Sequence, residues 1–164
     1  MDALEAVVRA REILSQATPL RTDCGRICGG ACCRTDGDGQ GGMLLFPGEE
    51  ALYDRLPAGF SILPERTVSP DGRLLMCSGV CDRSLRPLAC RFFPLRPTAR
   101  GRVVMDRRGF FVCPLTESGM GGLSGDFVAA AREAAAVLCE NETQCAFLEA
   151  LGASIRRVLS QSSL

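Results

Sequence analysis

The chain contains no histidine, no lysine and no tryptophan. Without histidine there is no Ser–His or Cys–His dyad, no imidazole base and no imidazole metal ligand. Without lysine there is no Schiff-base amine and no P-loop lysine. All 19 basic residues are arginine, and they balance 19 acids to a formal net charge of zero. A general electrostatic pull toward nucleic acid or an anionic membrane is therefore not expected. No apolar run approaches the ~20 residues that span a bilayer. The opening Met1-Asp2-Ala3-Leu4-Glu5 carries acids where a secretory signal carries positive charge. These absences predict a cytoplasmic protein, and they restrict any metal site to cysteine, carboxylate or backbone donors.

Against that sparse inventory stand ten cysteines. Otherwise the composition is ordinary, with 46% hydrophobic and 23% charged residues. A length of 164 residues suits one domain, 1–164, large enough to bury a core without depending on metal alone. Five disulfides would suit a secreted protein. In a reducing compartment clustered cysteines are metal ligands or redox groups instead, and this is the reading adopted here.

Residues 3–17 have helical periodicity, with Ala3, Ala6, Val7, Ala10, Ile13, Leu14 and Ala17 on one face and Thr18-Pro19 as the stop. Residues 20–42 are rich in glycine and cysteine and show neither helical nor strand period, which metal ligation would explain. A strand is predicted over 43–46, and a helix over 49–56 with acids in its first turn to suit the helix dipole. Further strands are predicted over 66–69 and 73–77, around a Pro70-Asp71-Gly72 turn, and over 92–96, 102–105 and 110–113. Two helices, 126–139 and 143–159, close the chain, with Asn141 and Gln144 as a capping box and an apolar stripe of Phe147, Leu148, Leu151, Ile155 and Val158. The predicted class is α+β: a small irregular domain of short strands and cysteine-rich loops over 20–114, flanked by an N-terminal helix and a C-terminal helical pair over 124–162.

The cysteines fall into groups. The first is Cys24-Gly-Arg-Ile-Cys28-Gly-Gly-Ala-Cys32-Cys33. Cysteines four apart would share a helical face, but Gly25, Gly29 and Gly30 argue for a loop wrapped around a centre. Adjacent side chains in extended backbone point in opposite directions, so Cys32 and Cys33 are not expected to serve one mononuclear site alike. The second group is Cys77-Ser-Gly-Val-Cys81, a spacing seen for paired zinc ligands, followed by Arg86-Pro87-Leu88-Ala89-Cys90-Arg91-Phe92-Phe93-Pro94. Cys113-Pro114 follows a predicted strand, like the Cys-Pro that ends some iron–sulfur loops. Cys139 and Cys145 stand apart on the C-terminal helices and read as small core residues.

Together these motifs resemble the YkgJ-like CxxCxxCC cysteine-cluster family of zinc- or iron-chelating domains. Cys24, Cys28, Cys32 and Cys33 match its cysteine-rich start, although three residues rather than two separate the early cysteines. Cys77, Cys81, Arg86, Pro87, Cys90, Arg91, Phe93 and Pro94 match its later block. Related clusters occur in flagellin lysine N-methylases, where the implied cofactor is a 4Fe–4S cluster. The candidate ligands are therefore Cys24, Cys28, Cys32, Cys33, Cys77, Cys81, Cys90 and Cys113. Arg86 and Arg91 are expected to offset thiolate charge, among a wider set that includes Arg26, Arg34 and Arg83.

Soft thiolates select zinc or iron–sulfur, and spacing alone leaves both open; the glycine-rich loop and the resemblance tilt toward a 4Fe–4S cluster over Zn²⁺. Three roles fit: a metal-binding protein with a redox, sensing or metal-handling task, a structural zinc module for protein–protein interaction, or a protein-modifying enzyme. The partner common to all three is a metal ion or cluster.

Overall fold

Helix α1 runs Ala3–Ile13, and its start is fixed by a reciprocal cap. The Asp2 carboxylate accepts the Glu5 N–H at 2.8 Å, and the Glu5 carboxylate accepts the Asp2 N–H at 2.8 Å. Ala6, Val7, Ala10 and Leu14 form its buried face. The computed structural model describes residues 1–33, 42–77, 79 and 82–161. Among these the class is α+β, with five α-helices, a three-stranded and a two-stranded antiparallel sheet, and helices at both ends.

Helix α1 packs on α4, Gly125–Leu138, whose inner face is Phe127, Ala131, Ala134, Ala135 and Leu138. Alanine on both surfaces lets the backbones approach closely. Helix α5, Glu142–Gln161, buries Phe147, Leu148, Leu151 and Ile155, while Val158, predicted to share the stripe, is 56% exposed. The Phe46 ring lies 5.3 Å from that of Phe147 and 6.5 Å from that of Phe92, tying the middle of the chain to the terminal helices. A fully buried aromatic side chain contributes roughly 1.5–3 kcal/mol, whereas a cap contributes about 1 kcal/mol. The aromatic cluster therefore outweighs the caps in holding the layers together.

At the start of α5 the predicted capping box is half made. Asn141 accepts the Gln144 N–H at 3.0 Å. The fully buried Gln144 side chain does not return to Asn141; it donates to the carbonyls of Ala3, at 2.9 Å, and Pro47, at 2.8 Å. It links three distant segments.

Helix α1 ends earlier than predicted, because Leu14 caps it and residues 15–16 already turn. The strands are β1, Gly42–Leu44, β2, Ser61–Pro64, and β3, Arg73–Met76, in the order β1–β3–β2, with Met43 and Ile62 both opposite Leu75. The strand predicted over 66–69 is a loop. Glu65 folds its carboxylate onto the Thr67 N–H at 2.9 Å, a local bond that competes with strand pairing, and β2 forms upstream instead, with Ile62 packed against Leu45, Tyr53 and Leu75. Gly72 is required at the return, since a Cβ there would overlap the Glu65 carbonyl oxygen.

Three more predictions change. Residues 49–52 form one 3₁₀ turn rather than a helix to 56, because the Glu49 side chain turns inward. Residues 88–92 are helical: Pro87 opens α3, Leu88–Phe92, and Leu88 and Phe92, four apart, are both buried. The strand begins only at β4, Leu95–Pro97, paired with β5, Val103–Met105. Finally, 107–111 is a 3₁₀ turn capped by Asp106, which accepts the Arg108 N–H at 3.0 Å, so Cys113 follows a turn rather than a strand. No helix among the described residues is long and apolar enough to cross a membrane.

Candidate metal centre

Cys24 and Cys28 flank helix α2, a single turn over Gly25–Cys28. The prediction of an unwound loop is corrected here: these two cysteines do share a helical face, and the Cys28 sulfur lies 3.9 Å from the Cys24 carbonyl. The glycines act one step later. Gly29 and Gly30 take φ values of 63° and 71°, which reverse the chain into a second turn, Ala31–Cys33. The Gly30 N–H closes on Gly25 O at 3.0 Å and the Cys33 N–H on Gly30 O at 2.8 Å.

Because Cys32 and Cys33 sit in a 3₁₀ turn and not in extended backbone, their side chains lie on the same side. Their sulfurs are 4.0 Å apart and both line one cavity, which corrects the opposed arrangement expected from sequence. That cavity has a volume of about 350 Å³. Its walls include Cys24, Cys28, Cys32, Cys33, Cys90 on α3 and Cys113, with Arg83, Arg86 and Arg91 beside them. Six thiols from three separated stretches of chain thus face one space.

The thiols act on one another. Burial pushes the Cys24 thiol up, the charges of Asp23, Cys28 and Cys113 push it further, and Arg86 pulls it back. Cys32 is raised by its hydrogen bond to Cys33, by burial, and by the charges of Cys33, Cys24 and Cys90. Cys33 is lowered to about 6, because Cys32 donates to its thiolate and Arg86 stands near. Burial raises Cys113, opposed by the Leu115 N–H and, more weakly, the Thr116 N–H.

Cys77 ends strand β3 half-buried and does not line the cavity. Its loop nonetheless reaches the doublet: Gly79, at φ 82°, packs so closely on the Cys33 carbonyl that a Cβ would overlap it. Cys81 and Arg34 lie outside the described residues. Cys139 and Cys145, read as core residues, are only half-buried.

The two arginines differ from expectation and from each other. Arg86 lines the cavity and acts on Cys24 and Cys33. Arg91 also lines it, but its guanidinium donates to the carbonyls of Arg86 at 2.9 Å, Arg83 at 3.0 Å and Ser84 at 3.1 Å. It holds the turn that carries Arg86. The same turn is held from α1 by Arg11, which donates to Ser84 O at 3.0 Å, and by the Tyr53 hydroxyl, which donates to Leu85 O at 3.1 Å. Arg83 in turn donates to Ser15 O and Ala17 O. Arg11, Glu49 and Tyr53 escape a reading of the sequence, because each partner lies tens of residues away and no local motif marks it.

Thiol sulfur is the kind of donor that selects soft metals. Several thiolates in one partly buried space repel one another, which a cationic centre would relieve by deprotonating its ligands outright. The volume exceeds the ~30 Å³ share of one water many times over. Among the described residues no three His, Cys, Asp or Glu side chains lie close enough together to hold one metal ion. Nearby, a second cavity of about 190 Å³, walled by Phe46, Phe92, Phe147 and Arg96, shares Cys32, Met43, Phe93 and Val112 with the first. No family model matches the chain, and no curated protein or solved structure matches it significantly.

Proposed function

We propose that this chain is a cytoplasmic cysteine-cluster protein of the YkgJ-like kind, which holds an iron–sulfur cluster or zinc through thiolates. The observation that carries this reading is the convergence on one cavity of Cys24, Cys28, Cys32, Cys33, Cys90 and Cys113, six of the eight cysteines chosen on motif and spacing. Four of these six would have to draw closer than they stand in this structure to hold the group, and the remaining two would be resolving or positioning thiols. Bound there, an iron–sulfur cluster supplies one-electron chemistry, whereas zinc supplies a rigid cross-link. The size of the cavity favours the cluster. Its task is redox, sensing or metal handling.

Purification without oxygen, followed by iron, zinc and acid-labile sulfide analysis and a visible spectrum, tests the reading. Iron with sulfide and a brown colour bleached by oxidation is the expected result. Zinc with no visible absorption selects the structural module. Protein that takes up neither overturns both.

A second reading, a protein-modifying enzyme resembling the flagellin lysine N-methylases, is favoured by the 190 Å³ cavity that shares a wall with the thiols. It predicts that a lysine-bearing peptide shifts the paramagnetic signal of the reduced cluster; an unchanged signal at saturating peptide counts against it.

A further inference from the structure

The two cysteines outside the cluster also meet. Cys139 caps the C-terminal end of α4, and Cys145 stands in the first turn of α5. Both thiols lie over the turn between β4 and β5, on consecutive carbonyls. Cys139 donates to Thr98 O at 3.4 Å, and Cys145 donates to Ala99 O at 3.1 Å. The Cys145 thiol also helps to raise that of Cys139. Gly101 completes the seat: a Cβ there would stand 3.9 Å from the Cys139 Cβ. Both cysteines are half-buried, so neither is sealed from a small reagent.

We propose that Cys139 and Cys145 form a thiol–disulfide exchange site, separate from the metal centre, whose substrates are small disulfides of the glutathione class. Two thiols, from the end of one helix and the start of the next, are seated on consecutive carbonyls of one turn, and the proposal asks them to close to a disulfide across it.

The order of attack follows from the two positions. Burial raises the Cys139 thiol, with the Gly101 N–H opposing, and Cys139 sits at the negative end of its helix. Cys145 stands in the first turn of α5, at the positive end of its helix. The Cys145 thiolate attacks one sulfur of the small disulfide, and the first small thiolate leaves and takes up the proton that Cys145 gave. The Cys139 thiol then loses its proton and attacks the Cys145 sulfur of the mixed disulfide. The Cys139–Cys145 bond forms, and the second small thiol leaves carrying that proton. Two cysteines are oxidised by two electrons, and one small disulfide is reduced to two thiols.

The test uses the full chain, metal-loaded and fully reduced, exposed to oxidised glutathione, then alkylated and digested. Cleavage after Arg132 and Arg156 releases both cysteines in one peptide, and further cleavage at Glu140 or Glu142 separates them. The expected result is loss of alkylation at both positions, two fragments held together until a reductant is added, and release of two glutathione thiols. In Cys139→Ser a glutathione adduct should persist on Cys145, at a level at least ~10-fold above wild type, because the resolving thiol is gone. In Cys145→Ser, Cys139 should stay unmodified. Full alkylation of both cysteines in the wild type, or a persistent adduct on Cys145 with Cys139 still present, overturns the proposal. Metal content is read in the same samples, so failure here is distinguishable from failure of the metal centre.

Discussion

The Glu49 carboxylate accepts the Leu88 N–H at 2.7 Å, two residues before Cys90. The same fully buried side chain accepts Phe46 N–H at 3.1 Å and Arg11 at 2.8 Å, so a single carboxylate fixes the approach of α3 to the cavity. Removing one partner of a buried ion pair costs about 3–5 kcal/mol, since the other charge is left uncompensated. Glu49→Ala should destabilise the protein by about that amount, measured by urea unfolding. Glu49→Gln keeps an acceptor for only one of the two N–H groups, because Leu88 bonds Oε1 and Phe46 bonds Oε2, so it should recover only part of that loss. Equal losses in the two variants would show that the charge decides, not the backbone bonds.

Tyr53 is the chain's one tyrosine, and with no tryptophan its ionisation can be followed directly in the ultraviolet. Burial and the nearby Glu49 charge push its phenol up to about 12 from the usual 10, against the pull of Arg11. A folded-state value above the unfolded one means that the protonated phenol favours the fold. This contribution is complete below pH 10 and is lost as pH rises toward 12. A titration midpoint near 12 is expected, falling in Glu49→Gln. A midpoint at 10 in folded protein would remove Tyr53 from the network.

Arg86 and Arg91 should separate cleanly. Arg86→Ala removes the guanidinium that acts on Cys24 and Cys33, so metal affinity should fall by ~10–100-fold beyond any change in the stability of the metal-free protein. Arg91→Ala removes three bonds to the 83–86 turn, so it should lower that stability as well. Competition with a chelator and urea unfolding, run on both variants, give the two readouts. Arg156→Ala, on α5, is the control. The idea fails if both cavity variants behave alike on both measurements.

No residue from 20 to 33 is fully buried, so this stretch lacks the apolar anchorage that α1, α4 and α5 possess. Ordering it costs ~1–2 kcal/mol per residue for backbone alone. A structural thiolate zinc site can return an apparent ~10–16 kcal/mol, as much as the ~5–15 kcal/mol stability of a whole domain. Stripping metal under reducing conditions should therefore abolish amide protection over residues 20–33 and weaken it near Cys90 and Cys113, while the three long helices keep theirs. Hydrogen exchange on loaded and stripped protein reads this directly, and unchanged protection in the cysteine segments would contradict it.

The terminal helices were legible because their apolar period is long and their caps are local: Ala6, Val7 and Ala10 announce α1, and Phe147, Leu148 and Leu151 announce α5. The strands were less so. Arg66–Ser69 has strand-like residues, yet Glu65 turns the chain there, and Phe92 looks extended until Leu88 and Pro87 are seen to start a helix. Six of the cysteines grouped by motif line one cavity in the fold, though no three of them among the described residues lie close enough together to hold one metal ion. The doublet's geometry is not legible from spacing, since extended backbone opposes the two side chains and the preceding glycines force a turn instead. Glu49, Arg11 and Tyr53 left no trace in the sequence, because their meaning lies in contacts between distant segments.

The most direct test is metal content in single Cys→Ser variants purified without oxygen. Cys24, Cys28 and Cys90 should each lose most of the bound metal when replaced, since their thiols face the shared cavity. Cys139→Ser and Cys145→Ser should match wild type. Equal loss in both sets, or no loss in either, would contradict the assignment of the metal centre.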